Sequence, residues 1–329
     1  MQKSKQNLKI QFFVTSLSIV LFVLKFVAYF MTHSLSVLSD ALESIVNVLA
    51  GLIGLYSLYV ASKPKDKDHP YGHGKAEFVS AAFEGSLIIT AGLIILYESI
   101  HTFFQPNTLH GLDNGIWILL LTAVLNMVAG LFAKAKGKKN KSLALSSSGQ
   151  HLLIDSYTTY AVALGIGLVM YTGFKIIDTI IAILMGLWII YNGYKIIRES
   201  LAGIMDEADM ALLDEVIDEL NKSRNNHWID MHNLRVIKYG ALMHIDCHLT
   251  VPWYFNVNEA HGAVDEFTKL IKNKFGDSVE FFVHTDGCMA FSCPICTIDN
   301  CTKRTSAFKH QLNWTRENVL SDLKHQLIN

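Results

Sequence analysis

Up to about residue 200 the chain alternates long apolar runs with short polar breaks. The runs fall at Ile10–Met31, Ser36–Val60, Phe78–Phe104, Gly115–Ala133, Leu145–Tyr171 and Phe174–Ile197. Each supplies the ~20 residues that an α-helix needs to cross a bilayer core. Backbone groups must satisfy one another in lipid, so all six runs are predicted as helices. A signal peptide is the rival reading of the first run. That run is too long for such a segment and has no small-residue cleavage site, so it is read as a retained helix.

Beyond Ser200 the pattern changes. Met210–Leu220 repeats apolar positions at helical spacing, and Asn258–Lys274 reads as a second amphipathic helix with Asn258 as its N-cap. His232–Lys238 and Leu242–Val251 read as strands joined at Tyr239-Gly240, and Ser278–His284 as a third strand. The order α-β-β-α-β predicts a small two-layer α+β domain. The expected fold is therefore an α-helical membrane protein, a six-transmembrane-helix bundle with a C-terminal cytoplasmic αββαβ domain. The expected divisions are 1–200 for the bundle, 201–208 for a linker, 209–287 for the α+β domain, and 288–329 for a cysteine-rich knuckle and a polar helical tail from about Ala307 to Gln326.

Composition and charge sharpen this picture. Hydrophobic residues make up 51% of the 329 positions and charged residues only 17%, too apolar for an ordinary soluble enzyme. A net charge of -1 gives no basic field for nucleic acid. Lys63, Lys65, Lys67 and Lys75 follow span two, and Lys134, Lys136, Lys138, Lys139 and Lys141 follow span four, whereas the loops after spans one, three and five carry no Lys or Arg. The positive-inside rule then puts both termini in the cytoplasm.

Several polar groups sit where apolar ones would be cheaper. Glu43 and Asn47 lie four residues apart inside span two, and His151 and Asp155 four apart inside span five. On a helix each pair projects from one face. Intramembrane ionisable groups mark substrate or ion paths by default, and glutamate, asparagine, histidine and aspartate form a plausible ligand set for a small divalent cation. Helix-helix hydrogen bonding is the blander reading. Asp40, one turn earlier, is placed at the mouth of such a site. Lys25, inside span one, either reaches an interface or pairs with an acidic group.

Outside the spans, Asp66, His69 and His73 could hold a metal on the loop after span two; a turn fixed by Pro70, Gly72 and Gly74 is the alternative. His232, His244, Asp246, His248, His261, His284 and Asp286 crowd the small domain and as a group favour a soluble metal site. By strand alternation His244, Asp246 and His248 share a face. Cys288, Cys293, Cys296 and Cys301 form a Cys-x4-Cys-x2-Cys-x4-Cys run, either a tetrahedral metal knuckle or reduced, unliganded thiols.

The loop His69-Pro-Tyr-Gly-His-Gly-Lys-Ala-Glu77 after an acidic span two, together with His151-x-x-x-Asp155 on span five, resembles the cation diffusion facilitator family of divalent-metal/proton antiporters. The likeness covers residues 10 to about 290. It implies that Glu43, Asn47, His151 and Asp155 form the transport site, and that Asp66, His69 and His73 form a loop site. It implies that His232, His261, His284 and Asp286 bind metals that order or bridge the cytoplasmic domains of a homodimer. It also implies that Lys75 pairs with Asp206. Zinc carriers of the family commonly place Asp or His at position 43 and Asp at position 47, so Glu43 and Asn47 are departures that blur which metal is carried.

The expected activity is efflux of a divalent cation, Zn2+ or else Fe2+, Co2+, Cd2+ or Mn2+, in exchange for protons, by a multi-pass protein of the plasma (inner) membrane. The expected partners are a second copy of the chain, divalent metal ions and protons as substrates, and membrane lipid. A membrane-anchored metal sensor and a passive metal channel are the alternatives. A membrane zinc hydrolase is disfavoured because no HExxH helix occurs.

Overall fold

In the computed structural model the chain forms two compact units, Met1–Met205 and Asp206–Asn329. The structure describes residues 2–32, 35–104, 115–172, 176–240, 242–276 and 279–327.

The first unit contains six long helices: α1 (Gln2–Thr32), α2 (Leu35–Ala61), α3 (Ala76–Phe104), α4 (Gly115–Asn140), α5 (Leu143–Thr172) and α6 (Ile176–Ile204). Among the described residues four of them, α1, α3, α4 and α6, hold stretches long and apolar enough to cross a membrane, and α2 adds an apolar stretch over Asn47–Ala61. Helices α4 and α6 outrun their apolar runs. Lys134, Lys136, Lys138 and Lys139, expected in a loop, ride on the last turns of α4, where cations complement the helix dipole.

The bundle buries polar residues among its apolar clusters and turns large apolar side chains outward. Asn7, Gln11, Thr15, Glu84, Ser148, His151 and Asp155 are buried, while Phe12, Phe13, Leu93, Val128, Leu131 and Leu184 are exposed. Lipid is the solvent that accepts such a surface, and buried partners satisfy the polar groups. Gln11 donates to Ser148 Oγ at 3.1 Å, and Ser148 donates to Glu84 Oε1 at 2.6 Å, knitting α1, α3 and α5 together. Lys25 is buried. Helices α3 and α6 meet along a glycine seam: a Cβ on Gly193 would stand 2.9 Å from the Gly85 carbonyl oxygen, and one on Gly92 would stand 3.0 Å from that of Gly186. Both separations are shorter than a carbon atom tolerates, so glycine is required at the crossing.

The second unit holds α7 (Met210–Lys222), β1 (Asp230–Tyr239), β2 (Leu242–Val251), α8 (Val257–Phe275), β3 (Val279–Gly287) and a four-residue helix α9 (Arg316–Val319). Strand β1 runs antiparallel to β2, and β3 runs parallel to β2 on its other side. Met243, Ile245, Cys247, Leu249 and Val251 face a core that α7 fills with Leu213, Val216 and Leu220 and α8 with Ala263, Phe267 and Ile271. Burying a side chain such as Phe267 contributes about 2–3 kcal/mol; its ring meets that of Trp228 edge-on at 5.0 Å.

Two local expectations are corrected. The cap of α8 is Asn256, not Asn258: Glu259 N–H donates to Asn256 Oδ1 at 3.0 Å and Asn256 N–H to Glu259 Oε2 at 2.8 Å, a reciprocal capping box. The tail is not a helix from Ala307 to Gln326; only Arg316–Val319 is helical. Trp314 and Val319 are buried in the core, and side chains of α7 and the residues after it take backbone groups that a helix would use itself. Asn221 donates to the Trp314 carbonyl at 2.7 Å and accepts from its N–H at 3.2 Å, and Arg224 donates to the Leu312 carbonyl. Burial brings the Arg224 guanidinium down to about 10; it lies 3.9 Å from the centre of the Trp314 ring.

Candidate metal centres

Three groups of donor side chains assemble. The first lies between α2 and α5. Asn47 sits on α2, and His151 and Asp155 face it from consecutive turns of α5. His151 Nε2 is 2.8 Å from Asn47 Oδ1, the Asn47 amide donates to Asp155, and His151 Nε2 is 3.9 Å from Asp155 Oδ1. His151 and Asp155 are 8% exposed, and Nδ1 of His151 is buried with no hydrogen-bond partner among the described residues. A buried imidazole, an amide and a carboxylate clasped in this way offer three donors to one small cation once it displaces their mutual hydrogen bonds. The side chains of Glu43 and Asp40 lie outside the described residues.

The second group occupies the loop between α2 and α3. Asp66 Oδ1 is 3.0 Å from His69 Nδ1 and accepts from the His69 N–H at 2.7 Å and the Asp68 N–H at 3.1 Å, an Asx turn built on one oxygen. Its other oxygen lies 3.4 Å from His73 Nε2, and the two imidazole rings are 4.3 Å apart. Gly72, at φ +90, makes the bend that returns His73 toward Asp66. The His69 ring beside Asp66 holds its carboxyl below the ordinary carboxylate value. The turn and the metal reading are compatible here, because the turn is what gathers the three ligands. Lys75 donates to the Ile204 carbonyl at 3.3 Å.

The third group stands on the outer face of the small sheet. Strand register sets His232, His248 and His284 side by side, His232 opposite His248 and His248 opposite His284. Asp286 Oδ2 is 3.5 Å from His232 Nε2 and 3.3 Å from His248 Nδ1, and Oδ1 is 3.9 Å from His284 Nε2. Burial keeps the His232 imidazole below its ordinary value, hence neutral and able to ligate. Burial works to raise the Asp286 carboxyl, but the Lys324 ammonium beside it carries it below the usual range.

Within one chain the metal-competent triad is His232, His248 and Asp286, their donor atoms within 4.8 Å of one another, with His284 alongside. His261 stands on α8, 74% exposed at its side chain, and its Nε2 is 3.8 Å from Asp265 on the next turn. His248, which the resemblance does not name, lies with His232 and Asp286 in this geometry. Strand alternation plus antiparallel pairing with His232 was the signal for it. His244, on the same face, goes instead to Glu280 at 3.0 Å.

Comparison with known proteins bears directly on these centres. The sequence family described as the cation efflux transmembrane domain matches residues 12–205, and that described as the cation efflux protein, cytoplasmic domain, matches residues 209–288. The chain belongs to the cation diffusion facilitator family. Its relatives include an uncharacterized transporter of Synechocystis, 29% identical over 78% of this chain and 82% of that protein. They also include the cation-efflux pumps FieF of Pectobacterium atrosepticum and Pectobacterium carotovorum, 26% and 25% identical over 83% of this chain and 90% of theirs. This cation diffusion facilitator is accordingly a multi-pass membrane transporter of divalent cations rather than an enzyme.

Proposed function

We propose that this carrier exports Zn2+, with Fe2+, Co2+, Cd2+ and Mn2+ as the other metals its ligands could accept, from the cytoplasm in exchange for protons. It works as a homodimer in the plasma (inner) membrane, with both termini cytoplasmic. The observation that carries the reading is the clasp of Asn47, His151 and Asp155 between α2 and α5. Glu43, one turn before Asn47 on α2, completes the ligand set. With Glu43 and Asp155 ionised, two negative charges balance one divalent cation. The imidazole of His151 favours Zn2+ over a hard ion such as Mg2+.

Exchange follows from shared atoms. Metal ligands must be deprotonated to bind, so protons and metal compete at His151 and the carboxylates. Facing the cytoplasm, the site releases protons as metal enters. Facing an acidic exterior, it takes protons back and lets the metal go. The Asp66, His69 and His73 loop gathers metal at the inner side. The His232, His248 and Asp286 triad, with His284, loads when cytoplasmic metal rises and strengthens the dimer.

The test uses proteoliposomes loaded with a pH dye. Zn2+ addition should drive proton flux in the parent, and His151→Ala and Asp155→Ala should each abolish it while leaving the purified protein folded. Undiminished exchange in both variants would refute the site. Zn2+ flux indifferent to a pH gradient would instead identify a passive channel.

A further inference from the structure

Four cysteines surround one cavity of about 80 Å3 in the second unit: Cys288, Cys293, Cys296 and Cys301, with Trp253 and Tyr254 beside them. The match to the cytoplasmic domain ends at residue 288, so three of the four lie beyond it. All are free thiols. We propose that they form a tetrathiolate site for one thiophilic divalent ion of the Zn2+ or Cd2+ class, and that this ion fastens the segment after β3 to the end of the sheet.

The backbone around the cavity is arranged for anionic sulfur. The Trp253 N–H points at Cys288 Sγ at 3.4 Å, and the Thr305 N–H at Cys293 Sγ at 3.5 Å. The Tyr254 hydroxyl donates to Cys301 Sγ at 3.7 Å. A thiol sulfur is a weak acceptor, whereas a metal-bound thiolate draws such donors and is tuned by them. Donors from two separate stretches, Trp253-Tyr254 and Thr305, thus converge on three sulfurs.

Charge is supplied as well. Arg304 donates to the carbonyls of Cys293 at 2.8 Å, Cys296 at 3.0 Å and Ile298 at 2.8 Å. One guanidinium thus fixes the Cys-x2-Cys turn and sets a positive charge beside Cys293 and Cys296, offsetting one of the two excess negative charges of a divalent ion in four thiolates. Cys288 is anchored independently, its N–H donating to the Val251 carbonyl at 2.9 Å. Between Cys288 and Arg304 the only regular element among the described residues is a short 3-10 turn, Ala290–Ile295. A segment with so little ladder bonding gains most from a metal cross-link.

The sulfurs ring the cavity more widely than the donors of the two histidine-carboxylate triads, which lie within 4.8 Å of one another. Binding therefore draws the sulfurs inward. This site is independent of the transport reading and stands or falls without it.

The test uses the full purified chain. Co2+ added to the parent should produce sulfur-to-cobalt charge-transfer bands and the visible bands of tetrahedral cobalt. Cys293→Ser and Cys301→Ser should each lose them. His151→Ala and His248→Ala should retain them, which separates this site from the other centres. Because a serine variant could fail to fold, the parent is also probed by alkylation and mass spectrometry. Zn2+ should slow labelling of all four cysteines together by on the order of tenfold or more, and a chelator should restore it. Absence of charge-transfer bands in the parent, labelling unaffected by Zn2+, or recovery of iron with inorganic sulfide in place of a single ion would overturn the proposal.

Discussion

Lys324 Nζ lies 3.1 Å from Oδ1 of Asp286, the carboxylate whose other oxygen faces His232 and His248. The tail thus lends its own cation to a carboxylate of the proposed triad, and Lys324 also donates to the Gly287 carbonyl at 3.2 Å. Metal entering the triad must outcompete that ammonium. Lys324→Met keeps the aliphatic stem and removes the charge. For a pair this close to solvent the relief is about 1 kcal/mol, so Zn2+ affinity at the triad should rise roughly fivefold. Calorimetric titration of the two proteins reads it, and equal affinities would show that the tail does not compete.

His248 and His261 can be told apart by the same titration. His248→Ala removes a donor 3.3 Å from Asp286 and should eliminate one Zn2+ equivalent. His261→Ala should leave that equivalent in place, since its neighbour in the chain is Asp265. The reverse pattern would return His261 to the site and remove His248.

At the membrane site, Asn47 donates to Asp155. Asn47→Asp replaces that hydrogen bond with two carboxylates in contact, which repel unless a cation lies between them. Zn2+ should bind the variant more tightly than the parent by on the order of tenfold. Weaker or equal binding in an equilibrium assay on purified protein would take Asn47 out of the ligand set.

A pH signature resides in the tail. His325 Nδ1 is 2.6 Å from Asp230 Oδ1, and its Nε2 is 2.9 Å from the Asn318 carbonyl oxygen. The Asp230 hydrogen bond raises the imidazole above its ordinary value. A group raised on folding stabilises fully below its unfolded pKa, near ~6.5 for histidine, and loses that contribution as pH climbs through the folded value. The unfolding midpoint of His325→Gln, followed by tryptophan fluorescence, should fall furthest below the parent in mildly acidic buffer and converge with it above neutrality. A gap that stays constant with pH would rule this out.

Much of this was legible in the chain because period reports environment. Apolar runs long enough to span a bilayer became helices, and the spacing of His151 and Asp155 put both on one face of α5. The α-β-β-α-β order of the small domain was equally plain. The tail was not, since its shape is set by Trp314 docking in a core and by Asn221 and Arg224 capturing its backbone, contacts about 90 residues distant in sequence. His248 needed the strand register rather than its own position: alternation put it on the outer face, but only pairing with β1 and β3 brought it to His232 and Asp286. The clustering of four sulfurs was readable from spacing; the donors aimed at them, from Trp253, Tyr254 and Thr305, were not.

The glycines where α3 crosses α6 receive Ile89, Leu96, Ile190 and Ile197 of the opposite helix, so the two rods are keyed together and cannot slide past each other without parting. They travel as one keel. In the exchange proposed above, the tilting that presents Asn47, His151 and Asp155 to each compartment in turn then falls to the joints around α2 and α5. A single methyl group added at Gly193 would meet the Gly85 carbonyl oxygen at 2.9 Å and pry the keel apart. Turnover would slow, while the grip on the metal stayed as it was.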